Sequence, residues 1–238
     1  MVWDAQDLTT DEPVAVKVLH TALLASPAAR IRFQREMAIA GALEHPHSVR
    51  VKSHGQTAEG NEYLVMERLD GQTLRALLAS AGPLPQIRAI RIIAQILDAV
   101  GAAHRDNIIH RDLKPGNVIL LDTASEPDFV KVCDFGLAKV FTPDAAEDEN
   151  EHAHQALPSM ATGQGDLCGT PDYMAPEQAR GEVLDGRADL YSIAVMLFQA
   201  VVGKLPFQGK TPLAVLSQHL VTPPTRPSVL RPDLGLAT

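Results

Sequence analysis

The chain has 238 residues and a net charge of −8, with 45% hydrophobic and 21% charged residues, an ordinary globular balance without the basic footprint that nucleic acid requires. Its two cysteines, Cys133 and Cys168, have no metal-ligand spacing; they read as small packing residues of a reducing, cytoplasmic compartment. Met1-Val-Trp-Asp has neither the basic nor the apolar region of a secretory leader, and the longest apolar run, residues 190–202, contains Ser192 and Gln199 and is too short to span a bilayer.

In chain order, residues 14–19 alternate β-branched and other side chains and predict a strand, with Lys17 on the face opposite Val16 and Val18. Residues 30–43 carry a helical pattern that offers Ile31, Phe33, Met37, Ala40 and Leu43 to one broad apolar face and holds Glu36, and His45-Pro46 ends it. Residues 49–52 and 62–66 read as strands joined by a polar turn over 54–61. Asp70-Gly71 is a turn signal and a candidate boundary between two parts of the molecule. Residues 84–105 form a long helical pattern, with Ile87, Ile90, Ile93 or Ala94, Leu97 and Val100 at the spacing of a core-facing stripe.

The chemistry concentrates in His110-Arg-Asp-Leu-Lys-Pro-Gly-Asn117, a loop leading into an apolar strand over 118–121. One short loop there carries a carboxylate (Asp112), an ammonium (Lys114) and an amide (Asn117). That is the set phosphoryl transfer needs: a proton acceptor, a cation for the moving group and an oxygen for a metal ion. Residues 122–128 form a polar turn without evident chemistry, and 130–133 a strand running into Asp134-Phe-Gly136. The segment from Asp134 to Glu177 is long; its acidic stretch 144–155, with His152 and His154, lacks bulky apolar residues and predicts disorder. The two histidines lack a third spaced ligand for a metal. Asp189 stands at the start of an apolar helix, where it can cap the helix and tie down the catalytic loop. A helix over 212–220 and an extended proline-rich stretch over 223–232 complete the chain.

Four blocks, Val14-Ala-Val-Lys17, His110 to Asn117, Asp134-Phe-Gly136 and Ala175-Pro-Glu177, stand in an order and at a spacing that resemble the eukaryotic-like serine/threonine protein kinases. Lys114-Pro115 is similar to the serine/threonine branch, and Pro176-Glu-Gln-Ala-Arg-Gly181 has a bacterial flavour. The resemblance implies an α+β, two-lobed fold: a small, mainly antiparallel β lobe with one helix over residues 1–69, and a larger, mainly helical lobe over 70–238. It implies transfer of the γ-phosphoryl of Mg-ATP to serine and threonine hydroxyls of proteins, with autophosphorylation of the activation segment.

By the same resemblance, Asp112 is the catalytic base, Lys114 stabilises the phosphoryl group, and Glu36 holds Lys17 against the ATP phosphates. Asn117 and Asp134 bind Mg²⁺, whose preferred ligands are hard oxygens. Val2, Ala15, Lys17, Met66, Glu67, Leu69 and Ile119 surround the nucleotide, with Met66 behind the adenine and 67–69 offering backbone groups to its edge. Arg111 receives a phosphorylated activation-loop residue, with Thr162 the expected site; Thr170 contacts the catalytic loop, and substrate backbone docks beside 171–174.

The chain departs from the pattern at its ends. Val2 looks like the closing valine of the glycine-rich loop, which sets the glycines before Met1, and the last helices, with the arginine that pairs with Glu177, are expected to be missing. Two readings follow: a kinase, with sensor or regulatory domains compatible in a longer parent protein, or an idle kinase-like fragment that binds proteins. The intact internal catalytic residues favour the first.

Overall fold

The computed structural model describes residues 2–19, 31, 37, 41–123, 127–135 and 171–235. The first part is a four-stranded antiparallel sheet of β1 (Val2–Gln6), β2 (Pro13–Leu19), β3 (Val51–Gln56) and β4 (Glu62–Glu67), in the order β1-β2-β4-β3. Alternation of β-branched residues makes β2 a central strand, with Val14 and Leu19 buried against the core. Its register brings Lys17 opposite Val2 on one side and Leu64 on the other, and Ala15 opposite Met66.

The second part is mainly helical. Thr73 caps α1 (Leu74–Ala81) by accepting from the Ala76 amide at 3.1 Å. The long α2 (Gln86–Arg105) and α4 (Arg187–Val202) pack together, and with α1 and a small sheet they build the main core. That sheet pairs β5 (Gln72–Thr73), β6 (Val118–Leu121) and β7 (Phe129–Val132), all antiparallel. Short α3 (Pro176–Arg180), α5 (Pro212–Val221) and α6 (Pro227–Leu230) follow. Proline at N1 starts α3 and α5 with its φ already set. Gly181 and Gly203, at φ 69° and 83°, end α3 and α4 in the left-handed region that glycine reaches without strain. Among the described residues no helix is long and apolar enough to cross a membrane.

The two parts are stitched by backbone bonds between the loop after residue 43 and β7. The Val49 amide donates to the Val132 carbonyl at 2.9 Å, and the Val132 amide to the His47 carbonyl at 2.8 Å. Lys131 adds an ion pair at 2.7 Å with Glu67, at the end of β4, and a bond to the Ser48 carbonyl. On the far side of β7, Arg88 grips Asp128 with two parallel bonds of 2.8 Å. That fork geometry holds the turn before the strand against α2.

Several sequence expectations change. The face of α2 that enters the core is Ala89, Ile92, Ile93, Ile96, Ala99, Val100 and Ala103; Ile87 is 68% exposed, and Ile90 and Leu97 are exposed too. Both stripes have helical spacing, and packing against α4 and β7 selects the one with small residues, which permit close approach. The strand expected over 49–52 lies at Val51–Gln56, so the turn shrinks to 57–61, closed by Thr57 and Asn61. Ile31 is exposed, whereas Met37 and Leu43 are buried. The stretch expected to be extended over 223–232 contains α6, whose backbone Arg231 closes by donating to the Pro227 carbonyl.

Candidate active site

The loop before β6 is held in place from beneath by one buried carboxylate. Asp189, 1% exposed, lies inside the first turn of α4 rather than at its cap, which is Gly186 without a side-chain bond. Its Oδ2 accepts from the His110 amide at 2.9 Å and from His104 Nε2 at 2.8 Å, and its Oδ1 from the Arg111 amide at 2.9 Å. Burial pushes this carboxyl up, but the His104 bond, the His110 charge and the two amides outweigh burial and hold it below the usual range. The expected tie to the catalytic loop is therefore present and the helix-capping role is not. Arg111 adopts φ 66°, a strained value for an arginine, and its carbonyl accepts from Gln178 of α3 at 2.6 Å.

On that support the loop turns its polar groups outward. Lys114 Nζ pairs with Asp112 Oδ2 at 2.6 Å, and Asp112 is about one-third exposed, with 32% of its side chain accessible. Asn117 ends a short 3₁₀ turn (Pro115–Asn117) and donates its amide nitrogen to the Asp112 carbonyl at 2.9 Å, which leaves the amide oxygen as an acceptor. His110, fully buried, donates from Nε2 to the Cys133 carbonyl at 2.8 Å, and its ring lies 5.0 Å from that of Phe135. The Cys133 amide in turn donates to the Asn117 carbonyl at 2.8 Å. These bonds fasten the end of β7 to the loop and bring Asp134 to its side.

Asp134 has φ 68°, and its Oδ1 accepts from Lys17 Nζ at 2.7 Å. Thus a lysine from β2 and a carboxylate after β7 meet across the cleft, each with about a fifth of its side chain exposed. Asn117 and Asp134 supply an amide and a carboxylate oxygen, hard donors that suit Mg²⁺; that ion commonly takes one or two protein carboxylates and completes its shell with phosphate and water. Among the described residues there is no cluster of three or more His, Cys, Asp or Glu that could hold a metal unaided.

The other sequence-derived site residues fall into four groups. Val2, Ala15, Lys17 and Met66 are neighbours across β1, β2 and β4. Met66 also lines a small, mostly apolar cavity of about 20 Å³ with Met37, Leu64 and Phe135, to which Asp134 and Ser48 also contribute. Ile119 lies on β6 opposite Lys131 and Thr73. At 67–69 the Glu67 amide is engaged by the Arg50 carbonyl at 3.0 Å, so from that residue only a carbonyl remains for a ligand edge. Leu69 has no backbone hydrogen bond among the described residues. Glu36, Thr162 and Thr170, together with Gly136 and the stretch 144–155, lie outside the described residues.

Sequence reasoning missed His104, Gln178 and the Glu67–Lys131 pair, all of which reach the site through contacts remote in sequence. It also missed the bond from the Tyr173 hydroxyl to Gln199 Oε1 at 2.6 Å, which ties the 3₁₀ turn Pro171–Tyr173 to α4.

Comparison with known proteins places this geometry. The family model of the protein kinase domain matches residues 1–225. The chain is 42% identical over 236 residues to the serine/threonine-protein kinase pkn3 of Myxococcus xanthus, covering 99% of this chain and 41% of that one. It is 39% identical to the serine/threonine-protein kinase PknB of Mycolicibacterium smegmatis, covering 97% and 35%. It thus spans about two-fifths or less of the length of these curated relatives. The crystal structure of the Mycobacterium tuberculosis PknI kinase domain superposes with a TM-score of 0.69 at 28% identity, covering 98% of this chain and 77% of that one.

Proposed function

This chain belongs to the protein kinase family, and we propose that it transfers the γ-phosphoryl of Mg-ATP to serine and threonine hydroxyls of protein substrates. The observation that carries the reading is the pair of bonds through Cys133, which fasten Asp134 beside Asn117 and so join the two oxygen donors to the Asp112–Lys114 pair. No step of the chemistry calls for a covalent enzyme intermediate, so catalysis rests on positioning and charge.

In this reading Asp112 accepts the proton of the attacking hydroxyl, and its partial exposure leaves it open to substrate. Lys114, already at 2.6 Å from that carboxylate, shifts part of its charge to the phosphoryl oxygens as they move. Lys17 neutralises phosphate charge at the nucleotide, and its bond to Asp134 fixes where its ammonium points. Asn117 and Asp134 would hold Mg²⁺, which when bound neutralises the charge that builds on the phosphate oxygens. Val2, Ala15, Met66 and Ile119 enclose the adenine, and the Glu67 carbonyl and Leu69 backbone meet its edge. Glu36, as the partner of Lys17, and Thr162, as an autophosphorylation site answered by Arg111, complete the proposal, as does a lobe boundary at residues 69–70. ATP as donor goes with a cytoplasmic location.

The test is incubation of the chain with magnesium, γ-labelled ATP and a serine/threonine peptide, with Asp112→Asn as control. Label in the parent and its loss in the variant, with nucleotide binding retained by both, is the expected result. Equal labelling by both would remove Asp112 from the chemistry.

A further inference from the structure

Beside the catalytic loop stands a cation without a salt-bridge partner among the described residues. Arg75 lies in the first turn of α1, and α1 packs against the Pro115–Asn117 turn that follows Lys114. Arg75 is exposed and makes no ion pair among the described residues. Its neighbours at helical spacing are Gly71, Gln72, Leu78 and Ala79, so no carboxylate on the same helix surface can take its charge.

The acid in the neighbouring 171–173 segment is Asp172, whose charge also acts on Tyr173. The Thr73 hydroxyl is engaged in capping α1. Gly116 has no side chain, and a Cβ there would meet nothing within 4 Å, so this rim of the loop is open space. Gln199, at the far side of Tyr173, holds the Tyr173 hydroxyl. The charge of Arg75 reaches Tyr173: it pulls the phenol down, while burial and Asp172 push it up to about 12. Of the acids nearby, Asp172 also acts on His219 of α5, and Glu177 on Tyr191 and Arg187. Arg75 thus stands on the helix that packs against the catalytic turn, and its charge acts on Tyr173 alongside that of Asp172.

We propose that Arg75 is a specificity-determining residue that selects peptide substrates carrying a carboxylate side chain a few positions from the phosphoacceptor hydroxyl. This deepens the kinase reading above and rests on it. A guanidinium offers a planar fork that matches a carboxylate with two parallel bonds, and open space at Gly116 lets an extended peptide pass close enough to use it. On a chain of net charge −8, general repulsion disfavours acidic peptides, so a local cation is needed to draw an acidic residue to this rim. A cationic residue at the same place would meet Arg75 and be repelled.

The experiment measures kcat and KM for threonine peptides in an alanine background, with Asp or Lys scanned through the flanking positions. The parent is expected to show a position where Asp exceeds Lys by about tenfold in kcat/KM, carried by KM. Raising the salt should shrink that preference as charges across an open cleft are screened. Arg75→Lys is expected to keep the preference in weaker form, and Arg75→Glu to invert it. Equal use of Asp and Lys peptides by the parent, or an unchanged preference in Arg75→Glu, would overturn the role of Arg75 while labelling of the all-alanine peptide kept the kinase reading. Absence of any labelling that depends on Asp112 would overturn both.

Discussion

Lys17 of β2 and Asp134, just beyond β7, meet at 2.7 Å across the cleft between the two parts of the molecule. The pair joins residues 117 apart in sequence, and each partner is tied into its own rigid element. Because both side chains are partly open to solvent, the pair adds about 1 kcal/mol or less to stability. Its value is geometric. Replacing Lys17 with Met is expected to lower the rate of phosphoryl transfer at least about a hundredfold, as loss of one positioned charge does elsewhere. The midpoint of thermal unfolding should move by only a few degrees. Transfer assays and melting curves on the two proteins check both halves; an unfolded variant would show that the pair holds the lobes rather than the phosphates.

Gly71 limits how the chain can pass from the first sheet to α1. A Cβ at this position would fall inside the contact distance of the Leu120 carbonyl oxygen and lie 2.8 Å from Leu121 Cδ2. The nearer atom is backbone in β6 and cannot rotate away. Gly71→Ala is therefore expected to destabilise the fold by about 1–3 kcal/mol, the usual cost of overpacking. Gly116→Ala, at a position open on its Cβ side, should leave stability within about 0.5 kcal/mol. Urea unfolding midpoints of the two variants, compared with the parent, test the contrast.

What could be read in advance was the grouping of polar residues that are close in sequence. Asp112, Lys114 and Asn117 lie on one loop, and Asp134 follows a recognisable strand, so their proximity needed only local reading. The face of α2 was read only in part. Of the expected stripe, Ile93 and Val100 are buried while Ile87, Ile90 and Leu97 are exposed; Ile92 and Ile96 repeat with the same period, and a helix apolar on several sides gives periodicity nothing to choose between. Only packing against α4 decides it. The clamp on the loop was half legible: Asp189 was a plausible tether, but His104 joins it over 85 residues and Lys131 meets Glu67 over 64, with no local pattern to mark either contact.

Cys133 stands between Asp134 and β7, where its backbone serves both His110 and Asn117. Burial, with the charge of Asp134, pushes its thiol up to about 12. At pH 8 it is therefore almost wholly protonated, and the thiolate is the reactive form. In a chain carrying Cys168→Ser, alkylation of Cys133 by iodoacetamide at pH 8 is expected to run at least about a hundredfold slower than in the same chain unfolded by urea. Mass spectrometry of timed samples reads the rates. Comparable rates would show that the strand end opens readily and that the lock between loop and β7 is weak.

His219 of α5 is 6% exposed and sits among Tyr191, whose hydroxyl bonds to Nδ1 at 2.7 Å, and Phe207, whose ring stands edge-on at 4.7 Å. Its Nε2 is buried with no hydrogen-bond partner among the described residues. Burial pulls its pKa below the usual 6.5, against a smaller opposite pull from Asp172. A folded-state pKa below the unfolded one means that the unfolded chain binds the proton more readily. Stability from this neutral ring is then fully present above about pH 6.5 and is lost as pH falls toward the folded-state value. The parent should lose stability between pH 7.5 and 5.5 relative to His219→Phe, which keeps a ring in the cluster and removes the titration. The Tyr191 hydroxyl released in that variant is only partly buried, so water can satisfy it. Urea midpoints at the two pH values form the test: parallel shifts in both proteins would mean that acid acts elsewhere, and a larger loss in the parent would assign it to His219.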